Sequence, residues 1–293
     1  MRKGFLIGLV LALVGVLATS AAGAPAQTPG VTSKNVVIGA TMPLTGPVSA
    51  YGTIATAMKA YFSYINARKG SDGKRGVFGR QIVFKVYDDG YNPVQTVQQT
   101  RRLVEEDNVF AIVGALGTEH NEAIRPYLNA KKVPQILNAT GADTWGKDWQ
   151  KYPWTRGWQP SYEWEGRIYG QAIARNSPNA KIAVLYQNDS FGDDNVTGLE
   201  AGLGAKKSNV VAKESFEATA PDVRSQMAKL RASGASILVV IATPRQVAQA
   251  LVLARALGWN PPVIYISSVG SAATVMAGAQ AAGAGPLVNN SYT

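Results

Sequence analysis

A chain of 293 residues with no cysteine excludes disulfide staples, thiolate metal ligands and thiol catalysis, so it must hold itself together with a substantial core. Its formal charge of +10 comes from 29 Lys and Arg against 19 Asp and Glu. Beyond Arg101-Arg102, Lys131-Lys132 and Lys206-Lys207 no basic run forms the stripe that a nucleic-acid binder presents, and the length suits two lobes.

The first 26 residues have the layout of a signal peptide. Arg2 and Lys3 form a basic start, 5–17 is apolar and broken only by Gly8 and Gly15, and Ala24-Pro25-Ala26 offers a small-residue cleavage site before Gln27. The apolar run falls short of the roughly 20 residues of a membrane span, no basic flank follows it, and no cysteine is present to carry a lipid. Cleavage removes Arg2 and Lys3 and leaves a charge of +8. The expected location is periplasmic or otherwise extracytoplasmic.

After a polar linker the chain alternates strand and helix. A strand at 36–40 precedes a helix at 53–66, with Ile54, Met58, Tyr61, Phe62 and Ile65 on one face. A Gly/Lys/Arg turn at 69–79 leads to a strand at 81–87. Pro93 opens a helix reaching 106; a strand at 110–113, a helix at 119–130 bent at Pro126 and a strand at 135–138 follow. The stretch 144–164 then holds five of the six tryptophans: Trp145, Trp149, Trp154, Trp158 and Trp164. Pro153 and Pro160 rule out one continuous helix there, so it is expected to be an irregular connector. A second series runs through a helix at 162–176, strand 181–186, helix 194–206, strand 210–216, a helix marked by Val223, Met227 and Leu230, strand 237–241, helix 247–257 and strand 263–266. This alternation predicts the α/β class: two doubly wound parallel-sheet lobes joined by a hinge, the first over 27–155 and the second over 156–293.

Catalytic signals are weak. His120 is the lone histidine; no nucleophile motif accompanies it, and a histidine at a helix start is expected to be a polar surface or capping residue. Asp88-Asp89 and Asp193-Asp194 lack metal-loop spacing and suit turns and helix N-caps. No glycine-rich dinucleotide or phosphate loop is present, so no cofactor is implied. Two loops differ. Gly117-Thr118-Glu119 and Ala139-Thr140-Gly141-Ala142 each follow a short apolar strand, where ligands of parallel sheets sit. Free backbone N–H groups at a helix start, a glycine that admits close approach and a threonine hydroxyl make a cradle for a carboxylate or amide. Capping chemistry explains either loop alone; for the pair, both readings stay open.

The stretches VVIGATMPLTGPVSAYG (36–52), VFGRQIVFKVYDDGYNPVQTVQQTRRLVEEDNVFAIVGALGT (77–118), KKVPQILNATGA (131–142) and KIAVLYQNDSFGDDNVTGLEAGL (181–203) closely resemble branched-chain amino-acid-binding proteins, the extracytoplasmic solute receptors of ABC importers. The resemblance covers nearly the whole chain after the signal peptide. It implies two α/β lobes linked by three crossovers, solute trapped by hinge closure, no catalysis, permease and ATPase partners, and a monomer. It also implies site roles. Tyr51 is the aromatic facing the cleft, Gly117 and Thr118 take the solute carboxylate, and Ala139, Thr140 and Gly141 form the next loop. Phe191 closes from the second lobe, and Thr243 lies at a second-lobe cleft position.

Two departures stand out. Amino-acid receptors of this family place an acid after the strand ending here at Ile266, but this chain reads YISSVGS, with Ser268 near that position. A buried ammonium without a carboxylate partner is costly, so a hydrophobic or aromatic carboxylate or amide is expected in preference to an amino acid. The tryptophan-rich stretch resembles members suited to such solutes, while hinge packing is the plainer account of it. Family chains are also longer, so the resemblance implies a truncated form or fragment whose first lobe lacks its C-terminal return. A sensory ligand-binding protein on the same fold is the alternative function, which gene neighbourhood would separate.

Overall fold

The computed structural model describes residues 28–46 and 48–293; the expected signal peptide lies outside the described residues. The elements run β1 (Asn35–Met42), α1 (Gly52–Ala67), β2 (Gln81–Asp88), α2 (Pro93–Glu105), β3 (Ala111–Val113), α3 (Thr118–Lys131), β4 (Gln135–Ile136), α4 (Thr144–Lys147), β5 (Thr155–Arg156), α5 (Tyr162–Asn176), β6 (Ile182–Gln187), α6 (Ser190–Leu203), β7 (Val210–Phe216), α7 (Arg224–Ala232), β8 (Ile237–Ile241), α8 (Pro244–Ala256), β9 (Val263–Ile266), α9 (Ala273–Ala279), α10 (Gly285–Asn289) and β10 (Ser291–Tyr292).

Among the described residues two five-stranded sheets form, in the orders β2-β1-β3-β4-β5 and β10-β9-β8-β6-β7, with every strand pairing parallel. Alternate residues of a strand face opposite sides, and the first sheet follows that rule. Ile38, Ala111 and Val113 meet Met58 and Phe62 of α1 on one face, while Val37 and Ile112 meet Leu103 of α2 and Ile124 and Leu128 of α3 on the other. The second sheet is covered likewise. Leu238 and Val240 pack with Met227, Leu230 and Leu251, and Ile237, Val239 and Ile241 pack with Ile173 and Leu199. All five residues of β8, an unbroken apolar run, are therefore buried, as a strand covered on both faces requires.

Helices α5 and α6 approach through glycine. Gly166 and Gly170 on α5 face Gly198 and Gly202 on α6. A Cβ at these four positions would lie 2.0, 2.2, 1.9 and 2.2 Å from backbone oxygens of Asn195, Leu199, Glu163 and Arg167 on the opposing helix. Four small residues at i, i+4 spacing thus bring two backbones into contact.

Several sequence expectations need correction. Tyr61, expected on the buried face of the first helix, is 60% exposed; the inward face is carried by Ile54, Met58 and Phe62. The fourth strand stops at Ile136 because Leu137 turns to φ 56°. Helix α6 starts four residues before 194, because the Asp189 carboxylate, and not Asp193 or Asp194, accepts the first free N–H groups, from Phe191 and Gly192 at 3.1 and 3.2 Å. The tryptophan-rich connector holds α4 and β5, the latter reaching Arg156 in the first sheet, one residue past the expected boundary. After 266 the chain continues through α9, α10 and β10, which adds an edge strand to the second sheet beside β9.

Candidate ligand-binding cleft

The carboxyl ends of the two sheets face one another across a cleft of about 440 Å³. Each wall is set by a local device. On the first-lobe side, Asp88 at the end of β2 pins the loop after β1. Its Oδ1 accepts the backbone N–H groups of Leu44, Thr45 and Gly90 at 2.8, 3.2 and 2.9 Å, and its Oδ2 takes the Thr45 hydroxyl. Burial would raise this carboxyl, but those bonds outweigh it and hold it below the ordinary range. The pinned loop carries Tyr51 into the cleft, where its hydroxyl donates to the backbone oxygen of Val269 in the second lobe.

The start of α3 forms the cleft floor. Gly117, its N-cap, has φ 104°, and a Cβ there would sit 2.5 Å from Nδ1 of His120, so glycine is required on both counts. Asn121, fully buried, fixes the turn: its Nδ2 donates to the backbone oxygens of Ala115 and Gly117, both at 2.8 Å. Its Oδ1 accepts Nε2 of Gln135 at 3.0 Å, whose Oε1 accepts the Thr155 hydroxyl at 3.0 Å. Thr118 and Thr140 share a hydrogen bond of 2.6 Å between their hydroxyls. The two threonine loops are therefore one structure, joined also by a parallel bridge between Leu116 and Ala139.

On the second-lobe side stand Tyr162 and Glu165 from the first turn of α5, Phe191 from the first turn of α6, and Ser268 and Val269 after β9. The Tyr162 and Phe191 rings are 4.8 Å apart, and burial lifts the Tyr162 phenol to about 12, so it stays protonated as a donor. Glu165 accepts from the backbone N–H of Ser268 at 2.6 Å, from the Ser268 hydroxyl at 3.0 Å and from the Tyr169 hydroxyl at 2.8 Å.

Of the residues singled out in the sequence, Tyr51, Gly117, Thr118, Ala139, Phe191 and Ser268 line this cleft. Thr140 lies buried behind Thr118. Gly141 lines a neighbouring groove of about 600 Å³ with Trp145, Trp149, Trp158 and Trp164, and Trp158 and Gln159 are shared by both cavities. Thr243 does not reach the cleft: it is the buried N-cap residue of α8, and its hydroxyl donates to Oε1 of Gln246 at 2.6 Å. His120 is not a surface residue. It is 2% exposed, its ring centre 4.1 Å from that of Tyr91. Tyr91, Tyr162 and Glu165 were missed by the sequence reading, although the last two sit at a helix start capped by Ser161.

The buried charges predict a pH response. Burial lifts the carboxyls of Asp89, Asp189 and Asp194 to about 6, from an ordinary 3.8, and pushes His120 down to about 4, from an ordinary 6.5. The acids hold extra protons when folded. Their stabilising contribution is complete below 3.8 and is lost as the pH rises through about 6. His120 runs the other way: its contribution is complete above 6.5 and is lost as the pH falls through about 4. Three acids outweigh one imidazole, so the melting temperature is expected to rise on going from neutral pH to about 5. Calorimetry across that window checks the sign; a fall would mean that His120 dominates.

Two parallel-sheet α/β lobes meeting at a cleft between strand ends define the type I periplasmic binding protein fold. The chain belongs to the periplasmic binding protein family, whose profile matches residues 35–293. It is 27% identical over 266 residues to Leu/Ile/Val-binding protein homolog 7 of Brucella abortus, covering 87% of this chain and 62% of the relative. Among solved structures it resembles a fatty acid ABC transporter substrate-binding protein from Thermomonospora curvata, with TM-score 0.74 and 25% identity over 87% of this chain and 63% of that one. A Rhodopseudomonas palustris ABC-transporter solute-binding protein in complex with benzoate shares the fold, with TM-score 0.71 and 19% identity over 85% of this chain and 66% of that one. The chain thus spans less than two thirds of the length of the first two.

Proposed function

We propose that the protein is an extracytoplasmic solute receptor of an ABC importer. It captures a small, partly hydrophobic solute bearing a carboxylate between two lobes that divide after β5, and delivers it to permease and ATPase subunits without chemistry of its own. The observation that carries this reading is the start of α3 at the cleft floor. Thr118 offers its backbone N–H and the positive end of a helix dipole to a bound anion, while the Gly117 N–H is held by the Ala139 carbonyl at 3.4 Å and Gly117 leaves room for the approach. Aromatic walls from Tyr51, Tyr162 and Phe191 suit an apolar body. The relatives, a Leu/Ile/Val-binding protein homolog, a fatty acid substrate-binding protein and a solute-binding protein in complex with benzoate, support the same class of solute.

Thr118 supplies the test. With Thr140 as donor in their shared bond, the Thr118 proton is free for the solute. Thr118→Ala is expected to weaken binding by about 1–3 kcal/mol, the worth of a hydrogen bond to a charged group, while the fold stays intact. Titration calorimetry with leucine, benzoate and hexanoate on both proteins decides it. Unchanged affinity in a folded variant would reduce Thr118 to a structural residue, and failure of all three to bind the parent protein would count against the solute class.

A further inference from the structure

The Gly/Lys/Arg turn between α1 and β2 takes no part in the cleft. It forms the pole of the first lobe at the amino ends of β1 and β2, opposite the strand ends that line the cleft. Two small hairpins build it: Lys69 pairs with Arg75, and Val77 with Arg80. The arm before β1 joins the same pole. Arg80 Nε donates to the Thr32 carbonyl at 2.9 Å, and the Gln81 N–H donates to the Lys34 carbonyl at 2.7 Å. Arg68-Lys69 and Lys74-Arg75, apart in the sequence, thus stand together with Lys34 and Arg80. All but Arg80 are exposed, and among the described residues none of the six is in an ion pair within 4.0 Å. From 28 to 80 the one acid is Asp72, whose Oδ1 accepts the Lys74 N–H at 3.0 Å within the turn.

Phe78 stands at the tip of the second hairpin. It is 72% exposed, the most of any large apolar side chain among the described residues. Its backbone takes φ 51°, followed by Gly79 at φ 82°. A two-residue turn with both φ positive favours Asn-Gly or Gly-Gly, and a bulky residue at its first position is strained. Among the described residues Phe78 joins no apolar core and no aromatic pair that would offset this. An aromatic held outward at such a cost, and ringed by cations, points to a partner outside the chain. We infer that this pole docks on an anionic phospholipid surface, with the cations at the headgroups and Phe78 inserted where headgroups meet acyl chains. An acidic protein would meet the cations equally well, but it would need a pocket shaped for Phe78, whereas a bilayer admits an apolar wedge at any point. The described chain also starts at this pole, at residue 28, directly after the expected signal peptide, so export leaves the pole beside the membrane. The inference rests on the extracytoplasmic reading and is independent of the solute.

Vesicle flotation tests it, since aggregated protein sinks and cannot mimic binding. The probes are vesicles of phosphatidylcholine alone and of phosphatidylcholine with about one third phosphatidylglycerol. The protein is the processed chain, 27–293, so that the signal peptide cannot itself insert. It is expected to float with the anionic vesicles at about 0.1 M salt and to be released at about 1 M, where the Debye length falls from about 10 to about 3 Å. Each cation near such a surface is worth about fivefold in partitioning, so Lys69→Gln, Lys74→Gln and Arg75→Gln combined should lower it about a hundredfold. Phe78→Asn removes the wedge and suits the turn; it should weaken partitioning about tenfold while the melting temperature holds or rises. A merely structural Phe78 would lower that temperature and leave partitioning alone. Equal flotation with neutral and anionic vesicles, no flotation with either, or unchanged partitioning of either variant overturns the inference. Capture of polyglutamate in place of vesicles would assign the pole to an acidic protein and overturn it too. In every case titration with leucine, benzoate and hexanoate reads the receptor proposal separately, because none of these substitutions touches the cleft.

Discussion

Gly198→Ala is expected to be among the most damaging conservative changes in the second lobe. The added methyl would sit 1.9 Å from the backbone oxygen of Glu163, and a backbone carbonyl, unlike a flexible side-chain tip, cannot turn aside. The two helices must separate. Overpacking of this kind costs about 1–3 kcal/mol and more where the neighbour is rigid, so the melting temperature should fall by roughly 5–10 °C or more. Solute affinity should fall with it, because α5 carries Tyr162 and Glu165 while α6 carries Phe191. Gly278→Ala is the internal control. That glycine lies in α9 with open space where a Cβ would go, so relief of unfolded-chain entropy should make it neutral or stabilising by about 0.4–1 kcal/mol. Opposite signs for the same chemical change, read by calorimetry, are the expected result. Equal effects would mean that the helix contact is looser than these distances describe.

Asn121→Ala should be nearly as severe, through a different cause. The substitution removes three hydrogen bonds in a fully buried place: one of the two on each backbone oxygen of Ala115 and Gly117, which keep the N–H groups of Ala139 and residue 121, and one of the two made by the Gln135 amide. Each of these hydrogen bonds is worth about 0.5–1.5 kcal/mol, and the chain of bonds through Gln135 to Thr155 couples the losses. A drop of about 3 kcal/mol in unfolding free energy is expected from denaturant titration. The same variant should bind solute poorly even when folded, since the turn that sets Gly117 has lost its tie. A folded variant with unimpaired binding would show that the α3 N-terminus holds its shape without Asn121.

Much of the fold was written in local pattern. The run ILVVI of β8 announces a strand buried on both faces, and Pro93 with Asn92 before it marks the start of α2, where the Asn92 side chain accepts from Val94 and Gln95. The start of α6 was harder, because Asp189, Asp193 and Asp194 are all capping residues and only Asp189 has the extended backbone a cap needs. The strands β5 and β10 contain two residues each, too few for any periodicity; they exist because a neighbouring strand offers its edge. The glycine spacing at 166, 170, 198 and 202 was visible in the chain but gains meaning only when the helices are set side by side. Glu165 was hidden for a related reason. It stands in a stretch that reads as hinge packing, and its partner Ser268 lies 103 residues away, so no local signal joins them. His120 illustrates the reverse: its position suggested surface chemistry, and tertiary packing against Tyr91 removed it from water.

In the receptor proposed above, the bond from Tyr51 to Val269 would bear on how tightly any solute is held. It spans the two lobes using the protein's own atoms, so part of the free energy of closure does not come from the guest. If the lobes of such a receptor open and close, an interaction internal to the shut form raises that form's share before any guest arrives. The guest then has less of the conformational change to drive, and its apparent affinity rises by the same factor. The gain is blind to what lies inside: it strengthens the right molecule and the wrong one alike. Discrimination is left to the groups that touch the guest, while the lobe-to-lobe bond sets how strongly the protein holds whatever fits.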